Sequence, residues 1–189
     1  MLLDDVMPVF DFRSRHDIVV DAAGAAVADA IETYRLDESP IVRILFRLRG
    51  LGAAPGTLRE ALGSGGFVLL AEAPGQEIVL GTAGWFWAVD ERAHLIRPRD
   101  AREFRAFAVP GAAKATLSLH VEPLSAGRTR LRTETRVACV DAAARRRFAL
   151  YWSIIKPFSG WIRGELLRGI ARHALAADAA MEAHRCMAR

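Results

Sequence analysis

Polarity alternates with a period of two across residues 115–140. Leu117, Leu119 and Val121 alternate with Thr116, Ser118 and His120. After Pro123-Leu124-Ser125-Ala126-Gly127, Leu131, Thr133, Thr135, Val137 and Cys139 alternate with Arg128, Arg130, Arg132, Glu134 and Arg136. Successive side chains of a strand point to opposite faces, so this pattern predicts two half-buried antiparallel strands joined by a turn. One face must be covered by other elements. The opposite, arginine-bearing face is expected to meet water.

The cover is supplied further along the chain. Asp141 is placed to cap a long helix over about residues 142–183. Phe148, Trp152 and Ile155 form its first apolar stripe, and Ile162, Leu166, Ile170, Ala174, Ala177 and Met181 its second. Pro157-Phe158-Ser159-Gly160 lies between them, and a proline removes a backbone hydrogen bond, so a kink or short break is expected near 153–160. Before the paired strands, Phe12 to Val20 reads as a strand. Val27, Ala30, Ile31 and Tyr34 fall at helical spacing. Ser39-Pro40 starts a second short helix carrying Ile41, Ile44, Leu45 and Leu48, ended by Gly50 and Gly52. Phe67–Ala71 and Ile78–Trp87 read as a hairpin about Pro74-Gly75, Asp90–Arg102 as a loop, and Glu103–Val109 as a further strand. Leu117, Leu119, Leu131, Val137, Ile162 and Leu166 are the expected core. The expected class is α+β, one domain over residues 1–189 with its core at about 11–183.

Composition narrows the function classes. Of 189 residues 52% are hydrophobic and 25% charged, which suffices for a packed core. Two cysteines exclude a disulfide scaffold and a four-cysteine zinc module. Acids at Asp4 and Asp5 oppose a secretory signal, and no 18-residue apolar run predicts a membrane span; a cytoplasmic protein is expected. Twenty-six basic residues against 22 acids leave a net charge of +4, but the arginines are dispersed rather than clustered. That pattern speaks against a nucleic-acid partner. His16, His94, His120, His173 and His184 show no metal-ligand spacing, so no metal is expected. Gly63-Ser64-Gly65-Gly66 precedes a strand and no Gly-Lys-Ser/Thr follows it, so no nucleotide or other cofactor is expected either. No serine stands in a G-x-S-x-G elbow.

The order strand, two helices, further strands and long terminal helix resembles the helix-grip fold of the START-like superfamily, also called SRPBCC. Its members include polyketide cyclases and birch-pollen-allergen-like proteins. The residues carrying the resemblance are Arg15-His16-Asp17-Ile18-Val19-Val20-Asp21-Ala22, Val79-Leu80-Gly81 with Gly84-Trp85-Phe86-Trp87, Thr133-Glu134-Thr135-Arg136-Val137, and Tyr151-Trp152 through Pro157-Phe158-Ser159-Gly160-Trp161-Ile162-Arg163. The resemblance covers nearly the whole chain and points to a bacterial branch. It implies a curved antiparallel sheet wrapped around the C-terminal helix, with a hydrophobic small molecule held between them. It brings no catalytic signature.

The residues themselves suggest where such a molecule would sit. Aromatic side chains with a few convergent polar groups line apolar pockets. Trp85 or Trp87, Phe104 or Phe107, Tyr151, Trp152 and Phe158 supply the first kind, and Thr133 and Thr135 the second. The either-or pairs follow from register, because a slip of one residue exchanges the faces of a strand. His16 is a further polar candidate on the first strand, and Cys139 reads as a buried structural thiol. Binding without chemistry is the leading reading. The alternatives are a polyketide cyclase- or dehydratase-like enzyme using the same cavity, drawing on His16 or Tyr151, and a protein-interaction module whose cavity is filled. A homodimer is compatible with all three.

Overall fold

A computed structural model describes residues 1–36, 39, 56–64, 66–88 and 95–187. In chain order the elements are α1 (Leu2–Val6), β1 (Phe12–Val20), α2 (Gly24–Thr33), α3 (Leu58–Ser64), β2 (Val68–Ala73), β3 (Glu77–Gly84), β4 (Leu95–Ile96), α4 (Ala101–Ala106), β5 (Ala113–Ser125), β6 (Arg128–Cys139) and α5 (Ala142–Met187). The strands form one curved antiparallel sheet in the order β1-β6-β5-β3-β2, with β4 paired to β3. The fold is α+β, with the long helix α5 laid across β1 and β6 and α2 packed beside it. The short helix expected after Ser39-Pro40 falls outside the described residues.

The alternation in residues 115–140 becomes the central hairpin. Leu117 stands opposite Thr135, Leu119 opposite Thr133, and Val121 opposite Leu131. On the helix side, Val20, Ile78, Leu80, Leu119, Val121 and Leu131 pack with Leu166, Leu167 and Ile170 of α5. Four of the six expected core residues, Leu119, Leu131, Val137 and Leu166, are buried. Leu117 and Ile162 are only half-buried. Leu119 on the same strand and face packs with residues of α2 and α5, whereas Leu117 lies outside that cluster and keeps part of its exposure.

The opposite face differs from expectation. Its arginine row is not uniformly wet. Leu3, Val6 and Met7 from α1 and Phe104 from α4 pack against Leu70 and Val79 there. Beneath α1 lies a buried ionic network. The Arg136 side chain is 6% exposed and donates to Glu134 Oε1 (2.7 Å), Asp4 Oδ1 (2.6 Å) and the Met7 carbonyl (2.9 Å). Arg13 donates to the other oxygen of Glu134 at 2.8 Å. The Glu77 carboxylate accepts the free N–H groups of Leu2 (2.7 Å) and Leu3 (3.2 Å), tying the first turn of α1 to the sheet. A five-residue helix has little stability of its own, so these contacts hold it in place.

Two further differences have local causes. The stretch Glu103–Val109, expected as a strand, contributes instead to α4. Asp100 Oδ1 accepts from the Glu103 N–H at 2.8 Å, and Glu103 Oε2 accepts from the Arg99 N–H at 2.7 Å. This reciprocal cap starts a helix where the apolar pattern alone suggested a strand. Lys114 Nζ closes the other end, donating to the carbonyls of Phe104 (3.2 Å) and Arg105 (2.8 Å). The Asp100→Ala variant is therefore expected to lose about 1 kcal/mol of stability in a denaturant titration, the usual cost of an N-cap. The second difference is in α5: of the kink or short break expected near 153–160, there is no break, and the helix runs through Pro157. Pro157 and Ser153 lie on an exposed side of the helix, so water can satisfy the carbonyl that proline leaves unpaired.

Candidate functional site

Asp141 begins α5 as expected. Its Oδ1 accepts from the Ala144 N–H at 2.8 Å and its Oδ2 from the Gly111 N–H at 2.6 Å. This capping places Phe148 about two turns later against the sheet, in the middle of an aromatic cluster. Ring centroids lie 4.9 Å away for Phe12, 5.6 Å for Trp152, 5.8 Å for Tyr151, 6.2 Å for Trp87 and 6.3 Å for Phe86. Phe86 and Trp87 reach it from a turn rather than from the strand expected to extend to residue 87. β3 stops at Gly84, whose φ of 140° is one that side-chain-bearing residues rarely adopt. Phe12, Phe86, Trp87, Tyr151 and Trp152 are all partly exposed around the buried Phe148.

A polar group lies on the same face, between these aromatics and the aliphatic core. Ser14 pairs with Thr135 across β1 and β6, and His16 with Thr133. Arg163 of α5 reaches onto this rung. Its Nη1 donates to Ser14 Oγ at 3.0 Å and its Nη2 to Thr135 Oγ1 at 2.9 Å. Only 8% of the residue is exposed, and burial brings its pKa down to about 10. It makes no ion pair with any described residue. His16 Nε2 lies 3.3 Å from Ser14 Oγ. Burial, followed by the nearby Arg163 charge, lowers the His16 pKa and outweighs the opposing pull of Asp17, so the ring is neutral at pH 7. Thr133 Oγ1 is buried with no hydrogen-bond partner among the described residues. Half-buried Leu117 stands beside Thr135 on the neighbouring strand.

The structure brings some of the sequence candidates together and separates others. Trp87, Tyr151 and Trp152 meet in the aromatic cluster, and Thr133 and Thr135 form the polar rung beside it. Trp85 is half-buried at the end of β3, near Gly111. Phe104 is fully buried on the opposite face of the sheet, with Leu3, Val6 and Met7. Phe107 follows the end of α4 and is half-buried. Phe158 is 56% exposed on the outer side of α5. Cys139 stands on the inward parity expected of it but is half-buried rather than buried; desolvation together with Asp11 pushes its thiol up to about 12, which disfavours the thiolate. A shallow hollow lies elsewhere, between α2 and the β2–β3 turn, lined by Ile31, Gln76, Ile78 and Leu119 among others. No described helix is long and apolar enough to cross a membrane.

No protein-family model matches the chain, and no curated protein matches it. Among solved structures, the Zhui aromatase/cyclase from a Streptomyces species is similar over 86% of this chain and 93% of its own, with 8% identity and a TM-score of 0.34. The di-domain aromatase/cyclase BexL is similar over 86% of this chain and 46% of its own, with 16% identity and a TM-score of 0.34. A hypothetical protein from Helicobacter pylori is similar over 87% of this chain and 89% of its own, with 10% identity and a TM-score of 0.35.

Sequence reasoning passed over Arg163 as one dispersed arginine among many. A signal was present. Arg163, Leu166, Ile170 and Ala174 recur at spacings of three and four and are all buried, so the arginine occupies an inward position of the helix.

Proposed function

We propose that this protein binds a hydrophobic small molecule between its sheet and α5, in the manner of START-like proteins. Leu117 carries the reading: a leucine in the middle of a central strand, on the inner face, left half-uncovered while its neighbours Leu80 and Leu119 are buried. An apolar side chain in such a place is covered at a gain when an apolar molecule settles on it. The expected lining is Leu117, Thr133 and Thr135 on the sheet, Tyr151 and Trp152 on α5, and Trp85 or Trp87 from the turn after β3.

A neutral dye tests this without reference to charge. Nile red is expected to bind the native protein near one-to-one, with a blue-shifted emission and quenching of tryptophan fluorescence. Leu117→Trp fills the half-covered position and is expected to remove at least nine-tenths of that binding, with a circular dichroism spectrum and melting temperature close to those of the parent. Absence of dye binding by the parent would favour the interaction-module reading. A second reading, a cyclase or dehydratase acting in the same space, is supported by His16, a neutral imidazole beside a buried cation. It would show as turnover of a polyketide-like substrate that His16→Ala abolishes while dye binding persists.

A further inference from the structure

Four charged residues are buried among those described: Glu77, Glu134, Arg136 and Arg163. Glu77 accepts two backbone N–H groups, and Glu134 and Arg136 pair with each other and with Arg13 and Asp4. Each of these three charges has charge-assisted hydrogen bonds at 2.6–3.2 Å. Arg163 is the exception. Its two hydrogen bonds run to neutral hydroxyls, Ser14 Oγ and Thr135 Oγ1, and the first of these is shared with His16. A guanidinium carries five N–H donors, so three remain without a partner among the described residues. A buried cation without a counter-charge opposes folding, and the protein compensates its other buried charges.

Thr133 supplies the second observation. Its hydroxyl is fully buried on the same face, two residues from Thr135, and has no partner among the described residues. Arg163 and Thr133 thus leave unused polar capacity on neighbouring inward rungs of β1 and β6, bounded by the Phe148 aromatics on one side and aliphatic side chains on the other. A guanidinium fork matches the two oxygens of a carboxylate, and a neighbouring hydroxyl can donate to the same group.

We propose that Arg163, braced by Ser14 and Thr135 and assisted by Thr133, receives the carboxylate of an otherwise apolar ligand. This rests on the reading that an apolar molecule occupies the space between the sheet and α5, and it narrows that molecule to a monoanionic amphiphile. Arg163 then does for the ligand what Arg136 does for Glu134 on the opposite face of the sheet.

Decanoate, decanol and decyltrimethylammonium share one alkyl chain and differ in head charge, so they separate the two claims. In titrations followed by tryptophan fluorescence and calorimetry, decanoate is expected to bind the parent protein about ten- to a hundredfold more tightly than decanol, with the ammonium compound weakest. In Arg163→Met the decanoate preference should fall to within about twofold of unity while decanol affinity stays unchanged. The ligand-free variant should melt no lower than the parent, because the uncompensated buried charge is gone. A merely bracing role for Arg163 would lower the melting temperature and leave the preference intact, which would overturn the proposal. Should Arg163→Met fail to fold, Thr133→Val, nearly the same shape, is expected to weaken decanoate about three- to tenfold and leave decanol unaffected; an unchanged decanoate affinity would count against the site. Equal binding of decanoate and decanol by the parent overturns carboxylate recognition while leaving the apolar site standing. Failure of both to bind, together with failure of Nile red, overturns the apolar site and this proposal with it.

Discussion

Phe148→Ala is expected to destabilise the protein by about 3–5 kcal/mol, the range for removing a buried phenylalanine. Phe148 is 2% exposed and its ring meets those of Phe12, Phe86, Trp87, Tyr151 and Trp152, all within 6.3 Å. The loss therefore combines the transfer of the ring with a residual cavity and the edge and stacking contacts that aromatic pairs add. Urea titrations with tryptophan fluorescence measure it. The near-ultraviolet circular dichroism should weaken as well, because two tryptophans and a tyrosine lose their fixed surroundings. A change below about 1.5 kcal/mol would mean that the turn holding Phe86 and Trp87 does not pack on α5 in solution.

A comparable loss is expected on the other face of the sheet. Arg136→Leu removes the partner of a carboxylate, Glu134, that is only 2% exposed. Removing one member of a buried pair costs about 3–5 kcal/mol when the survivor is left uncompensated; Arg13 still donates to Glu134, which places the expected loss toward the lower end of that range. The same variant cuts the ties to Asp4 and the Met7 carbonyl and so loosens α1. Hydrogen–deuterium exchange should show early loss of protection at residues 2–7. The pH dependence provides an independent check. Burial by itself would raise the Glu134 pKa, but hydrogen bonds from Arg13 and Arg136 outweigh it and hold the carboxyl below its ordinary 4.5. A carboxyl depressed in the folded state stabilises fully above its unfolded value and loses that contribution as pH falls through the folded value. Stability of the parent should therefore decline below about pH 4.5. Glu134→Gln should be less stable than the parent at pH 7 and show a shallower acid limb. If the two limbs coincide, Glu134 is not held in the ionised form by its arginines.

Much of the architecture was legible because it rests on periodicity. Leu119, Leu131 and Val137 are inward and buried because strict alternation admits only one arrangement once one face is covered. The cap at Asp141 and the inner stripe of α5 were legible for the same reason: local spacing sets which side of an element is apolar. Where local signals competed, the reading failed. The apolar residues in Glu103–Val109 suggested a strand, and the Asp100–Glu103 cap, which needs only three residues, made a helix. Phe104 then turned to the face away from α5, with the N-terminal helix.

The sequence alone determined the class of fold, the long helix, the central hairpin and the inward placing of Thr133, Thr135, Tyr151 and Trp152. These depend on interactions between residues near in the chain, or on a period that repeats without regard to partners. Tertiary structure alone decided the fate of the charges. Glu134 and Arg136 stand in the alternating polar row of β6, where nothing in the local sequence separates a solvated residue from a buried one; Arg163 stands in the apolar stripe of α5, but its spacing does not say what encloses it. Burial came to Glu134 and Arg136 from α1, more than 120 residues earlier in the chain. Arg163 was enclosed when α5 crossed β1, which brought it to Ser14, 149 residues away. An arginine's charge is the same in every sequence, and its partner is chosen by the fold.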